Sequence, residues 1–308
     1  MMHYKKNTAL CALLFLTHAC IIGYGLPQLG LGYTNILEGG PIRPKPGIYW
    51  QHWLQYYTTK RFLDEKGKPL GGVPSPRFRD VEYVTDFAYQ FEKELFLGGM
   101  PGLEVVLPFT LASKIEKNEL NIKSSGSGVG DLGLSAYIQW PALFHNGRHV
   151  FIHRLEFGFT IPLGKNKLPE KQINPSRAFF YCGPTWSATL YFSYKWNLSW
   201  DLDYVWCAHN EKIDFRAGDA VFGNYSLAYE PCPRLYIAAA GYFLQQLHNN
   251  KSLGLMVPHS KERIFGIGPA VSYFHSHNLI FFTYLYLEAG VRNRTQGTNL
   301  ISRLVLHF

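Results

Sequence analysis

The chain has 308 residues, of which 16% are aromatic and only 17% are charged, an unusual balance for a soluble enzyme. A mean hydropathy of −0.09 excludes a chain built mainly of transmembrane helices. The formal net charge of +8 would fit a nucleic-acid partner, but the sequence holds no helix-turn-helix, zinc-finger or RNA-binding signature.

The N-terminus predicts a secretory signal peptide over residues 1–25. Lys5 and Lys6 precede a mostly apolar stretch, and the small residues Gly23 and Gly25 favour cleavage after Gly25, with Ala19 as an alternative position. The alternative is an uncleaved helical anchor. Both lysines leave with the peptide and no acidic residue does, so 28 basic and 22 acidic residues remain, a net charge of +6. Basic loops that face phosphorylated lipid head groups would use this charge.

Residues 26–46 come next and are rich in Gly and Pro, with no strand pattern. They form either a disordered leader or, if the rest of the chain is a barrel, a short plug or gate that enters its lumen from the periplasm. Both interpretations stay open. From residue 47 onward the sequence predicts strands.

Apolar and polar residues alternate with a period of two along residues 47–308. In the clearest run, large apolar side chains between Leu198 and Trp206 alternate with Asn197, Ser199 and two aspartates. Each run has about ten residues, enough for a tilted strand to cross a bilayer. Twelve such runs lie near residues 47–59, 80–92, 102–112, 130–141, 149–162, 182–194, 197–208, 218–229, 235–246, 262–274, 278–289 and 298–308.

The connections alternate in length, since those after odd-numbered runs are long and most of those after even-numbered runs are short. Long outer loops and short periplasmic turns are typical of outer-membrane barrels, and an even strand count places both termini in the periplasm. The sequence therefore predicts an all-β fold, a transmembrane antiparallel up-and-down β-barrel of about twelve strands. The long connections are predicted at residues 60–79, 113–129, 163–181, 209–217, 247–261 and 290–297.

Two features predict partners at the membrane. The chain ends at Phe308 on an alternating strand, which is typical of the signal that the barrel assembly machinery reads. Outer-membrane lipid would surround the barrel. Four basic residues in one predicted outer loop could contact lipopolysaccharide phosphates or simply be solvated: Lys165, Lys167, Lys171 and Arg177.

The side chains predicted to face the lumen are candidates for a solute path. Charged groups in a narrow lumen must pair or be hydrated, so the same residues could instead form a structural ladder of ion pairs. Inward aromatic rings would suit an aromatic solute, but tyrosines also fill barrel interiors. The candidates are Asp86, Glu104, Tyr137, Gln139, Arg154, Glu156, Asp201, Asp203, Asn224, Tyr284, Tyr286 and Arg303.

Two cysteines, Cys182 and Cys207, lie almost opposite each other across one predicted hairpin. Their positions have different parity, so one faces outward and the other inward. We therefore expect free thiols rather than a disulfide.

Several segments carry a family resemblance: Pro46 to Tyr49 with Tyr56-Tyr57, Gly130 to Leu132, Phe215 to Tyr229, Gly241 to Gln246, and Ile267 to Pro269. In this order they resemble the outer-membrane family named for the meta-pathway of phenol degradation, whose members are SphA-like transporters. The resemblance implies a Gram-negative outer-membrane barrel that passively moves small hydrophobic or aromatic compounds. It implies no cofactor and no metal.

Two other function classes stay open. An outer-membrane lipid-modifying enzyme would need a nucleophile with a base within reach. No Gly-x-Ser-x-Gly element occurs, and no Ser–His pair stands out. A non-transporting structural or surface-binding barrel would have a lumen that packed side chains block.

Overall fold

The computed structural model describes residues 26, 29–41, 44–117, 119–167, 172–176, 178 and 180–308, so the predicted signal peptide lies outside the described residues. Twelve long antiparallel strands dominate the described chain. They are β1 Gly47–Phe62, β2 Arg77–Gln90, β3 Met100–Glu116, β4 Leu132–Gln139, β5 Arg148–Ile161, β6 Tyr181–Tyr191, β7 Trp196–Cys207, β8 Ala220–Cys232, β9 Leu235–Gln246, β10 Arg263–Ser276, β11 Leu279–Arg292 and β12 Thr295–His307.

The sheet closes on itself into a barrel. Each strand pairs with the next along the chain, and β1 also pairs with β12, from Tyr49 opposite His307 to Thr58 opposite Thr298. Beyond this register Phe308 continues the seam, because its amide donates to the carbonyl of Ile48. Closure leaves no strand edge unpaired, which is the condition for a sheet to cross a bilayer. The predicted twelve-stranded antiparallel barrel is confirmed.

Alternation along the strands sorts side chains to the two faces of the wall. On β7, Ser199 and Asp201 are buried in the interior, whereas Leu202 and Trp206 are exposed on the outside. The outward apolar side chains occur on many strands and form a continuous band far larger than a soluble monomer shows. Its members include Leu54, Phe87, Leu103, Val105, Leu155, Phe157, Trp186, Leu227, Ile237, Ile267, Val271, Phe281, Leu285 and Leu300.

The ends of the barrel differ, and we call them the short-turn end and the long-loop end. Two-residue turns join β8 to β9 and β10 to β11 at the short-turn end. Long connections follow β1, β3, β5, β7 and β9 at the long-loop end. The predicted long loop at 290–297 is wrong, because β11 and β12 extend beyond the apolar band through polar residues and turn at Asn293 and Arg294.

Short elements decorate both ends. None of the described residues forms a helix long and apolar enough to span a membrane. The 3-10 helices are Leu70–Gly72 and Phe96–Gly98, and the short strands are Lys123–Ser124, Gly128–Val129, Leu143–His145, Gln172–Ile173, Phe215–Arg216, Lys251–Ser252 and Leu255–Met256.

The cysteines follow the predicted register. Cys207 lies opposite Tyr181 and is fully buried, whereas Cys182 lies opposite Trp206 and is partly exposed. Both are free, as is the exposed Cys232, so the predicted free thiols of the hairpin are confirmed.

Candidate functional site: the barrel lumen

The leader, which we define as residues 26 and 29–41, lies inside the barrel. Its hydrogen-bond partners sit on eight strands around the closed wall, a distribution that only a segment within the lumen can have. The partners on the wall are Trp53, Gln55, Glu82, Gln139, Thr189, Ser199, Asp201, Asn224, Ser226, Tyr286 and Arg303.

The leader runs along the lumen from one end of the barrel toward the other. At the short-turn end, the Gln139 amide donates to the carbonyl oxygen of Gly39 over 2.8 Å. At the long-loop end, the backbone nitrogen of Leu26 donates to Glu262 Oε1 over 2.8 Å. The leader therefore runs from the long-loop end at Leu26 to the short-turn end at Gly39, and β1 begins farther along the chain at Gly47.

Tyr33 holds the middle of the leader against β1 and β2. Its hydroxyl lies 2.7 Å from Gln55 Oε1 and 2.8 Å from Glu82 Oε2, and its carbonyl accepts the indole N–H of Trp53 over 2.9 Å. The phenol O–H is the donor toward these two oxygens, which lie on neighbouring strands.

One ion pair joins the leader to β12. Arg303 Nη1 lies 2.8 Å from Glu38 Oε1, with both side chains nearly buried. The same guanidinium donates from Nη2 to Gln51 Oε1 over 2.6 Å and lies between the rings of Trp53 and Phe282. Because the partners are desolvated and well placed, removing either charge would leave an uncompensated buried ion.

Asn224 on β8 binds the leader backbone from two sides. Its Oδ1 accepts the amide of Gly32 over 2.6 Å, and its Nδ2 donates to the carbonyl of Gly30 over 3.1 Å. Gly32 has a φ of +82°, and a Cβ there would lie 2.7 Å from the ring of Tyr286. Only glycine meets both constraints at this position.

A cavity of about 320 Å³ lies beside the leader, in the half of the barrel nearer the long-loop end. Inward glycines on β4, β5 and β6 line it and add no side chain to its volume: Gly133, Gly158 and Gly183. The rest of the lining combines apolar groups with carboxyl groups. It includes Leu29, Trp53, Val84, Val106, Tyr181, Phe222, Glu82, Glu104, Asp131, Glu156, Asp201, Asp203 and Arg154.

Arg154 is the guanidinium of this lining. Its Nη2 lies 3.4 Å from Glu156 Oε2, and its guanidinium covers the ring of Tyr137 at 5.0 Å from the centroid. Six carboxyl groups and one guanidinium therefore face the cavity. Among the described residues, no group of three or more His, Cys, Asp or Glu side chains is arranged to hold a metal ion.

The structure divides the twelve predicted lumen residues into three groups. Six line the cavity: Glu104, Arg154, Glu156, Asp201, Asp203 and Asn224. Gln139, Tyr286 and Arg303 bind the leader directly, and Tyr284 stacks beside Tyr286. Asp86 and Tyr137 are buried in the interior, where Asp86 accepts the amide of Gln51 over 2.6 Å and Tyr137 lies under the Arg154 guanidinium.

Sequence reasoning missed the residues on the leader itself. Tyr33, Asn35 and Glu38 bind the wall through their side chains, although the leader has no strand pattern. The sequence could have indicated these contacts, because Tyr33, Asn35 and Glu38 are polar side chains in a segment otherwise rich in Gly and Pro. If such a segment is buried, its polar groups need hydrogen-bond partners.

The structure describes only part of the predicted lipopolysaccharide-binding loop, and it leaves the role of Phe308 untested. Lys165 uses its ammonium to bind the carbonyls of Ser125 and Ser127, over 2.8 and 2.7 Å, so it ties two outer connections together. Lys171 and Arg177 lie outside the described residues. Phe308 keeps an exposed ring at the end of the last strand, and its role as an assembly signal stays a prediction.

A family model described as "Putative MetA-pathway of phenol degradation" matches residues 64–304. The chain belongs to this family. The match begins two residues after β1 ends and reaches into β12, so it covers β2 to β11 and most of β12. None of the curated proteins matches this chain significantly.

Several solved structures are similar to this chain. An outer-membrane channel from Pseudomonas putida F1 is 15% identical with a TM-score of 0.74, over 86% of this chain and 97% of that one. The translocator domain of the autotransporter NalP from Neisseria meningitidis is 8% identical with a TM-score of 0.46, over 86% and 90%. The CymD monoaromatic hydrocarbon channel is 9% identical with a TM-score of 0.42, over 94% and 98%. With its closed wall and exposed apolar band, the chain is a β-barrel of the bacterial outer membrane.

Proposed function

We propose that this barrel is a passive channel for small hydrophobic or aromatic solutes. The observation that carries the proposal is the cavity beside the leader, in which apolar and aromatic side chains face the carboxyl groups across a space of about 320 Å³. Pockets of this kind, mostly apolar with a few placed polar groups, are typical of small-molecule sites. The family's link to phenol degradation supports an aromatic solute.

In this proposal the leader is the gate. It fills the lumen between the cavity and the short-turn end, which would face the periplasm. The contacts described for it are noncovalent, so it can leave the lumen without breaking the barrel wall. A solute would enter the cavity from the long-loop end and pass when the leader moves aside.

The experiment is solute flux into liposomes that contain the refolded mature chain, with phenol and toluene measured alongside sugars. Flux with a preference for aromatics supports the proposal. A barrel that is shown to be folded by its heat-modifiable gel mobility but that passes no solute refutes it.

One observation favours a second candidate, a non-transporting structural or surface-binding barrel. The leader buries apolar side chains such as Leu26 and Ile36 in the lumen and binds eight strands of the wall. If this packing never opens, the interior is a core rather than a path. Absence of flux in both the complete chain and a chain lacking residues 26–41 would favour this candidate.

A further inference from the structure

We propose that Glu262 is a binding site for the α-ammonium group of Leu26, which signal-peptide cleavage after Gly25 creates. Two independent observations meet at this point. The small residues before Leu26 fit a cleavage site. The backbone nitrogen of Leu26 lies 2.8 Å from Glu262 Oε1 in the interior of the barrel.

The surroundings of Glu262 hold its carboxylate in a position to bind a positively charged group. Its side chain is almost completely buried, at 1% exposure, in the connection that leads into β10. Oε2 binds Arg294 Nη1 over 2.6 Å, while Oε1 faces Leu26. The Gln246 side chain holds the backbone of Glu262 in place, because Gln246 Oε1 accepts the amide of Glu262 over 2.9 Å. The carboxylate is therefore held in place and has one oxygen directed at the leader.

The local charge balance favours an ammonium over an amide. Arg294 interacts with Glu262 and also with the nearby Glu288, and with both carboxyl groups ionised these two acids and one base carry a formal charge of −1. An α-ammonium at Leu26 brings that sum to zero. The bond from the Leu26 amide to this carboxylate is already charge-assisted, and an ammonium would add the attraction between two opposite charges over the same 2.8 Å.

The Leu26 side chain supplies the second half of the anchor. It has no exposed surface and belongs to the same apolar cluster as Leu244, Ile264 and Val291. The Leu26 side chain thus packs against the apolar cluster while its α-nitrogen faces the Glu262 carboxylate. Together these two contacts form a binding site for the N-terminal residue. Processing would thus complete the attachment of the leader at the long-loop end.

The test begins with intact mass and N-terminal sequencing of the protein exported to the outer membrane. The proposal requires that the mature chain begin at Leu26, and any other first residue overturns it. This measurement and the next do not depend on whether the barrel transports a solute, so they can fail independently of the proposed channel function.

The second measurement is the labelling rate of the α-amino group by an amine-reactive ester at neutral pH. An ammonium that is buried against Glu262 should react at least tenfold more slowly in the wild type than in Glu262→Gln. Glu211→Gln, which changes an exposed glutamate of another outer connection, should keep the slow wild-type rate. Equal rates in the wild type and Glu262→Gln overturn the proposal.

If Glu262→Gln does not fold, a mature chain lengthened by one glycine before Leu26 replaces it. This chain keeps every barrel residue but moves the α-nitrogen by about 3.8 Å along the backbone. Rapid labelling of the lengthened chain supports the site, and labelling as slow as in the wild type refutes it.

Discussion

The ion pair between Glu38 and Arg303 offers the sharpest test of the leader as a gate. In Glu38→Gln the leader keeps its shape but loses the charge that faces Arg303 at 2.8 Å. In the closed state Arg303 would then be buried without its counter-ion, whereas in an open lumen water would hydrate it. The substitution should therefore destabilise the closed state and leave the open state unchanged.

The structure sets the size of the effect. Removing one partner of a buried ion pair costs about 3–5 kcal/mol. Arg303 keeps its bonds to Gln51 and its contacts with the rings of Trp53 and Phe282, which places the cost at the lower end. A cost of about 3 kcal/mol shifts the closed-to-open equilibrium roughly a hundredfold toward the open state.

The assay is single-channel recording in planar bilayers, where the open fraction is read directly. Glu92→Gln, in the exposed connection between β2 and β3 at the short-turn end, serves as the charge-matched control and should behave like the wild type. An open fraction of Glu38→Gln equal to that of the wild type, in a barrel with normal heat-modifiable mobility, would refute the reasoning.

Three further predictions concern the cavity and the wall. Gly158→Leu should reduce aromatic flux by about tenfold or more, because a Cβ there lies an acceptable 3.6 Å from Ser135 Cβ and the remaining side-chain atoms enter the cavity. The control Phe157→Leu, on the outer face, should leave flux unchanged, and equal flux in the two variants would contradict a solute path through the cavity. Benzoate should cross more slowly than phenol, because the lining has more carboxyl groups than guanidinium groups. Even one unpaired carboxylate about 8 Å away costs an anion about 2 kcal/mol, or about 30-fold, at an effective dielectric constant of about 20. Glu104→Gln should narrow the difference between the benzoate and phenol rates, and an unchanged ratio of swelling rates would exclude the carboxyl groups as its cause. Leu155→Arg should lower the free energy of unfolding in lipid by about 2–4 kcal/mol, because it places a charge in the apolar band. If a urea titration gives the same free energy of unfolding for Leu155→Arg and Leu155→Ala, this face does not contact lipid.

The barrel could be predicted from the sequence because its signal is local. Alternation such as that from Asn197 to Trp206 fixes which side chains face inward without knowledge of any other strand. The error at residues 290–297 has the same origin. Apolar alternation stops where the membrane stops, but β11 continues to Arg292 by pairing with β10, and β12 begins at Thr295 by pairing with β1.

The site could not be predicted in the same way because it depends on contacts between distant residues. Asn35 meets Tyr286 across 251 positions of sequence, and a leader without periodicity gives no register to reveal this contact. The cavity requires that Gly133, Gly158 and Gly183 be neighbours, and this follows only from the pairing register of three strands. The parity of each strand identified the lining residues, but not which of them meet the leader and which meet open space.

The measurement that tests the central claim most directly is flux through a barrel whose leader can be locked in place. Leu37→Cys and Ser199→Cys, introduced where the Leu37 amide donates to Ser199 Oγ over 3.0 Å, would tether the leader to β7 in a chain whose native cysteines are replaced by serine. The account predicts that aromatic flux into liposomes is abolished when this disulfide forms and returns when it is reduced. Flux that is the same in the oxidised and reduced states would show that the lumen beside the leader is not the path.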